Sequence, residues 1–481
     1  MYNGNYLSVI FAELLLNTLD MLSVHKIGGT SMSKFEDVLK NIVIRQAPDG
    51  NYFNRIFVVS AYNNVTNWLL EHKKTGEPGV YDFFVKNEAY RHALDDLLEK
   101  LIEINHQLEG IGLDLKVADL FITARIEQSK NYLTSMEEVM ASGYINKQNI
   151  LLAAREILAS IGEAHSAFNS VNILNNNNIK ATFVDLCGFH DAEFLTIDER
   201  IHRAFSHLDC TLTVPVVTGY TKGTEGIMRE FDRGYSEVTF SKIAVEVKAL
   251  EAVIHKEYHL SSADPAIVGV GNSRPVGATN FNVADQLADI GMEAIHPKAS
   301  KPLEVAGIHI RIKNTFEPDH PGTLISRNYI GEESKVEIIS GTDRVVAIEV
   351  HDPFMVGQVG YDMNLMKVML RYNISYILKA TNANSITMVI WEKDIADGLL
   401  TELKGLYHKV TIKDTALVCA MGTNIAKPGS LAKATNALFH KGINVEAVSQ
   451  SLMQVNMQFV IGREDYREAI IALNKALCQD P

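Results

Sequence analysis

Compact runs of apolar, mostly β-branched residues recur through the first two thirds of the chain. "RIFVVSA" (55–61) is of the buried-strand type, and "ATFVDL" (181–186), "VPVVTGY" (214–220), "EAVIHKEY" (251–258) and "IHIRIKN" (308–314) repeat its character. A further strand-like run follows Met21. Between them lie helical patterns, including 34–42, 148–161 and 237–249. Strands alternating with helices predict an α/β layer fold around a mainly parallel sheet. Residues 71–150 are mostly helical, "YRHALDDLLEKLIEI" being the clearest amphipathic piece, and read as an insertion capping the sheet near its edge.

The last third changes style. A strand at 345–350 and a helix at 360–373 are followed by two strands, "ISYILKA" and "SITMVIW", and a helix at 394–407. The same order recurs in "TALVCAM" (415–421), a helix at 429–442, "INVEAVSQ", "NMQFVIG" and a helix at 465–477. Gly360 and Gly429 each open a helix fourteen residues before an isoleucine, Ile374 and Ile443, so the period is 69 residues. Two βαββα units in tandem follow from this repeat. Units of this size pair their sheets side by side and leave small-ligand pockets. The expected organisation is an extension at 1–20, a catalytic domain at 21–330, and repeats at 331–408 and 409–481.

Composition narrows the function. The 481 residues carry a net charge of −13, against a nucleic-acid or anionic-membrane surface. The four cysteines, Cys187, Cys210, Cys419 and Cys478, are scattered without a CxxC pair, which fits a reducing cytoplasm better than a disulfide framework or a zinc site. No apolar run reaches the roughly 18 residues of a spanning helix. The first twenty residues are apolar but contain Glu13 and Asp20, with no basic residue before the apolar part. They make a poor signal peptide and read as an extension outside the fold, a short packed helix being the alternative.

Polar residues at strand ends supply the candidate chemistry. In "VHKIGGTSMS" (24–33) a strand feeds glycines and hydroxyls and then a helix, which suits an anion as well as a plain turn. Lys26 lies within reach of a phosphate there, and Ser33 with Glu36 fits a capping box that starts the helix near Lys34. The run is neither a Walker A loop nor GxGxxG. "SAYNNVTN" (60–67) follows a strand directly; Thr66 and Asn67 suit a substrate contact or, more plainly, a helix cap. Glu163 in "SIGEAHSAF" (160–168) suits a substrate ammonium, an exposed helix charge being the plainer reading. In "FDRGYSEVTFSK" (231–242), Gly234 permits a tight turn, Arg233 offers a fork for a carboxylate and Ser236 a donor at a helix start, with a capped solvent-facing helix as the alternative. "IHKEYHLSSADP" (254–265) is a strand running into a polar turn. Residues 294–325 look like a strand-loop-strand that closes a domain.

Together these stretches resemble the aspartokinases of the amino-acid kinase superfamily. "KIGGTS" (26–31) matches the family's lysine-[FY]-GGTS loop, and "SAYNNVTN" its SAxxxxTN element. "GEAHSA" (162–167) matches in part an element reading glycine-glutamate-arginine-leucine-serine-alanine. "RGYSE" (233–237) matches, with changes, arginine-glycine-glycine-serine-aspartate, and "RIKNTFEPDHPGTLI" is close throughout. The C-terminal repeat resembles the family's paired ACT domains. The resemblance spans residues 22–480.

The resemblance implies a three-layer kinase domain and ATP-dependent phosphorylation of the L-aspartate side chain to 4-phospho-L-aspartate, with Mg²⁺ accompanying ATP. It places Lys26 at the transferring phosphoryl, with Gly28, Gly29, Thr30 and Ser31 around it. Thr66, Glu163, Arg233 and Ser236 would hold aspartate, Glu163 on its ammonium and Arg233 on a carboxylate. Departures are Tyr235 for the second glycine and Glu237 for the aspartate of the arginine element. His255, Lys256 and Glu257 stand where tryptophan-threonine-aspartate is usual, and Glu293 where a lysine often helps hold ATP, so that Lys256 compensates. "KIGGTSMS", "RGYSE" and "LSSADP" resemble the subgroup associated with ectoine biosynthesis. The ACT-like units imply an amino-acid effector, lysine or threonine in the family, with candidate loops at 355–363 and 422–430, and a homodimer or higher oligomer. The alternatives are a catalytically weak amino-acid sensor and a kinase of another small carboxylate.

Overall fold

The computed structural model describes residues 22–47, 50–72, 75–231, 234–292 and 295–479. The N-terminal extension, Arg233 and Glu293 lie outside the described residues. The chain divides into two compact units. One runs to His259 and resumes over His296–Gly322; the other takes Leu260–Ile295 and everything from Thr323. The segment 260–295, expected within the catalytic domain, thus belongs with the C-terminal repeats.

The first unit is built on six parallel strands. They are β1 (Ser23–Ile27), β2 (Arg55–Val59), β3 (Ala181–Val184), β4 (Val214–Thr218), β5 (Glu251–Lys256) and β6 (His309–Asn314), in the order β3-β4-β2-β1-β5-β6. Every residue of β2 and β4 is buried, as their unbroken apolar runs require. Five helices matter below: α1 (Val65–Leu69), α2 (Tyr90–Leu108), α3 (Leu115–Ser142), α4 (Lys147–Asn176) and α5 (Tyr235–Glu246). Asp114 and Asn146 cap α3 and α4 by accepting from the Val117 and Gln148 amides. The helical insertion is present. Phe121 of α3 stacks on Phe168 of α4, and both meet Phe183 of the edge strand β3 edge-on.

Helix α4 is twice the length expected from periodicity. Beyond Leu158 its small residues leave no polar face, since Ser160 through Ala167 are all buried. The expected capping box at Ser33 does not form. Ser33 Oγ accepts from the Asn63 amide at 2.8 Å, and Lys34 opens a turn at Phe35–Asp37 without a side-chain cap.

In the second unit the repeats form one antiparallel six-stranded sheet. Its strands are β7 (Ile338–His351), β8 (Leu378–Thr381), β9 (Ser385–Trp391), β10 (Lys409–Met421), β11 (Val445–Ser449) and β12 (Asn456–Gly462), ordered β8-β9-β7-β10-β12-β11. The longer helices are α6 (Phe281–Asp289), α7 (Tyr361–Arg371), α8 (Leu399–Leu406), α9 (Ser430–Phe439) and α10 (Tyr466–Leu477). Two cores result. Val346, Ile348 and Val350 of β7 pack with α7 and α8, whereas Ile339 of the same strand packs with Ala416, Val418, α9 and α10. Segment 260–295 joins the latter core through Ala263 and Val268, and Asn474 donates to the Asn272 carbonyl. A short parallel pairing, Ala278–Thr279 with Thr323–Ile325, completes the unit.

Candidate active site

The carboxyl ends of β1, β2, β4 and β5 converge on one point of the first unit, where α/β sheets bind ligands. Alternation along β1 and β5 turns Lys26 and Lys256 to one face of the sheet, and His25 and His255 to the other. His255 therefore does not reach the site. It is buried, with Nε2 3.0 Å from His25 Nδ1, and burial, the largest cause, holds it down to about 3, a neutral pair inside the core.

Lys26 Nζ lies 3.6 Å from Glu237 Oε1, both side chains nearly buried. The His296 amide donates to Glu237 Oε2 at 2.8 Å. Burial pushes the Glu237 carboxyl up, but Lys26, Lys256 and the His296 amide together pull it below the usual glutamate value. Glu237 is thus ionised and shared by two lysines. The sequence marked it only as a departure from a motif; its burial and both partners come from the fold. The extra methylene relative to aspartate does not remove it from the site.

Glu163 is 2 % exposed, so the reading of an exposed helix charge is wrong. Ser236 Oγ donates to its Oε1 at 2.6 Å, and Ser60 Oγ donates to Ser236 at 3.2 Å. Glu163 Oε2 is buried without a hydrogen-bond partner. Burial, only partly offset by Ser236, Lys26 and the Ala61 and Tyr220 amides, pushes the carboxyl up to about 8. A buried carboxylate with one unanswered oxygen is suited to a cationic ligand group.

Gly234 precedes α5 and caps it, placing Ser236 in its buried first turn. Thr66 is the second residue of α1, half-buried; it is not the cap, a place Asn64 takes. A Cβ on Gly28 would meet nothing nearer than the His255 carbonyl at 3.7 Å, whereas one on Gly29 would lie 2.8 Å from the Ala61 carbonyl. Thr30 is exposed beside them. Ser31 turns inward, its hydroxyl 3.0 Å from that of Thr315, so its side chain anchors the loop. Glu257 follows β5 at the rim and is half-buried. Sequence reasoning missed Gly219. A Cβ there would lie 2.7 Å from Ser236 Cβ, 2.8 Å from the Val59 carbonyl and 2.9 Å from Glu163 Oε2. The available signal was a glycine directly after a buried strand.

The amino acid kinase family model matches residues 21–314, and an ACT domain model residues 418–477. Aspartate kinase Ask_Ect of Stutzerimonas stutzeri is 44 % identical over 465 residues, covering 95 % of this chain and 98 % of its own. The chain belongs to the aspartate kinases. Chloroplastic aspartokinase 1 of Arabidopsis thaliana is 25 % identical, with 94 % and 79 % covered. E. coli aspartokinase III, solved in complex with aspartate and ADP (R-state), shares the fold at a TM-score of 0.69 and 20 % identity, with 95 % of this chain and 100 % of that one covered. The aspartate kinase of Clostridium acetobutylicum gives 0.67 at 22 % identity, with 95 % and 99 % covered.

Proposed function

We propose that the chain transfers the γ-phosphoryl group of ATP to the side-chain carboxylate of L-aspartate, giving 4-phospho-L-aspartate and ADP. The observation that carries this reading is the pairing of Lys26 with Glu237 a short way from the unanswered oxygen of Glu163. Phosphoryl transfer needs positioning and charge neutralisation more than covalent help. Lys26 neutralises charge on the transferring group, Lys256 serves the nucleotide side, and Glu237 keeps both lysines in place. Gly28, Gly29 and Thr30 let the phosphates approach the backbone. Glu163 receives the α-ammonium, with Thr66, Ser236 and Arg233 completing the aspartate site; Glu257 lies at the nucleotide rim. Glu237 is committed to two lysines and an amide. Mg²⁺ would accordingly be carried on the nucleotide's phosphates, where it offsets their charge.

The relative Ask_Ect and the subgroup motifs support a place in ectoine biosynthesis. The ACT-like repeats support an amino-acid effector, lysine or threonine, at loops 355–363 and 422–430, and a homo-oligomer. Among the described residues no helix is long and apolar enough to cross a membrane. A cytoplasmic enzyme is the reading consistent with its substrates.

The test is a hydroxylamine trap with ATP, Mg²⁺ and aspartate. Aspartyl hydroxamate is expected; its absence alongside measurable aspartate binding favours the sensor, and product from another acid alone favours a different substrate. Gly219→Ala puts a methyl against a strand carbonyl that cannot retreat, a strain of about 1–3 kcal/mol. It should lower the unfolding midpoint and weaken aspartate binding at least tenfold, read by thermal melts and calorimetry.

A further inference from the structure

Behind the wall that carries Glu163 lies a group of polar side chains that phosphoryl transfer does not use. Tyr62 follows β2, Asn105 is on α2, and His165 and Asn169 are on α4; all four are at most 2 % exposed. Asn105 Nδ2 donates to Asp119 Oδ1 of α3 at 2.8 Å. A carboxylate oxygen accepts, so this bond fixes the amide and turns Asn105 Oδ1 toward α4. There it lies 2.7 Å from Asn169 Nδ2 and 2.7 Å from His165 Nε2. The proton of His165 therefore sits on Nε2, and burial holds the ring neutral, at about 3. The Tyr62 ring meets it edge-on at 5.4 Å.

This cluster is a poor device for stability. His165 Nδ1 and Asn169 Oδ1 are buried with no hydrogen-bond partner, whereas the Asn169 amide acts on the Tyr62 hydroxyl. Each such atom costs about 1–3 kcal/mol. An apolar set of similar volume would avoid that cost. What the cluster does achieve is placement. Residues 60–66 rest on α4 at three points. Ser166 Oγ donates to the Ser60 carbonyl at 2.8 Å, Gly162 lies against Ala61 and Val65, and Tyr62 meets His165. Ser60 and Thr66 belong to this loop, and Glu163 is two residues from His165. The acid on α3 thus sets an amide on α2, the amide sets the imidazole on α4, and the imidazole faces the ring that heads the substrate loop.

We propose that Tyr62, Asn105, His165 and Asn169 are positioning residues for aspartate, holding loop 60–66 against α4 so that its polar groups and Glu163 address one ligand. The proposal rests on the aspartate site given above. It sets aspartate affinity and leaves the nucleotide side, at β5, untouched.

The experiment compares the full chain with His165→Leu, His165→Gln and Tyr62→Phe. Calorimetry reads aspartate binding, steady-state kinetics the KM for ATP, and thermal melts the folding. His165→Leu and Tyr62→Phe, the latter removing the hydroxyl on which the Asn169 amide acts, should weaken aspartate binding about tenfold with KM for ATP within twofold, and the unfolding midpoint of His165→Leu should be unchanged or raised. His165→Gln, which can still donate to Asn105, should recover most of the affinity. Aspartate affinity within twofold of the parent in both His165→Leu and Tyr62→Phe overturns the proposal. So does a parallel loss of aspartate affinity, ATP affinity and midpoint, which marks a merely structural role. A parent that binds aspartate without turning it over overturns the kinase reading alone, because the affinities still decide this one. A parent that binds no aspartate overturns both.

Discussion

Lys26→Ala should abolish aspartyl-hydroxamate formation, by about 10³-fold or more, while circular dichroism and cooperative unfolding persist. Removing one preorganised charge-stabilising group costs about 10²–10³ in rate, and a cation at a transferring phosphoryl group about 10³–10⁵. Two acids share this cation in the structure. Glu237 contacts it directly, and Glu163 is also drawn down by it. The substitution therefore does more than remove a ligand to phosphate. Glu237 keeps Lys256 and the His296 amide and stays charged. Glu163 loses the cation that acts on it, and its proton is held more tightly. Aspartate binding should weaken as well, most visibly at neutral pH. Activity retained within tenfold refutes the role given to Lys26.

Glu163→Gln is the second substitution with a large expected effect. In the parent, burial raises this carboxyl from 4.5 to about 8, so at pH 7 the unliganded site mostly holds the acid. An ammonium group needs the anion. Binding should therefore release a proton below pH 8, and aspartate affinity should climb with pH until about 8 and then level off. In the glutamine variant the affinity should fall by about 10², as expected for an unpaired buried ammonium, and the slope with pH should vanish. The sign for folding is opposite. The folded chain holds more protons at this position than the unfolded chain between pH 4.5 and 8. The parent thus loses stability across that window as pH rises, whereas glutamine does not. The midpoint of Glu163→Gln relative to the parent should be higher at pH 8.5 than at pH 6. A parent affinity flat from pH 6 to 8.5 would show that the carboxyl is already ionised.

Most of the architecture was legible because buried strands and repeats write themselves into the apolar pattern. β2, β4, β5 and most strands and α-helices beyond residue 337 fall where runs such as "RIFVV" and "NMQFVIG" put them, but β7 and β10 begin at Ile338 and Lys409, well before the expected 345 and 415. Helix α4 was cut short because its second half is buried on all sides and shows no amphipathic period. The packing of residues 260–295 was not legible for a different reason. Residues 260–295 read as a continuation of β5, and only tertiary packing of Ala263 and Val268 assigns them elsewhere. In the site, Lys26, Glu163 and Ser236 came from motifs, while their energetics did not. Nothing along "SIGEAHSAF" tells that Glu163 is enclosed, or that Ser31 faces Thr315, because both facts depend on strands far away in sequence. Glu237 was doubted for being one methylene too long, and the fold absorbs that length between two lysines.

The sharing of strands between the C-terminal repeats has a mechanical consequence. β7 lies beside β10 over their full lengths, from Ile338 opposite Met421 to His351 opposite Lys409. One end of β7 lines the core under α7 and α8, and the other end the core under α9 and α10. Neither repeat owns its own keel. The two strands run through both cores, interrupted only by the register shift between Thr415 and Leu417, so a substitution that loosens one core should be felt in the other.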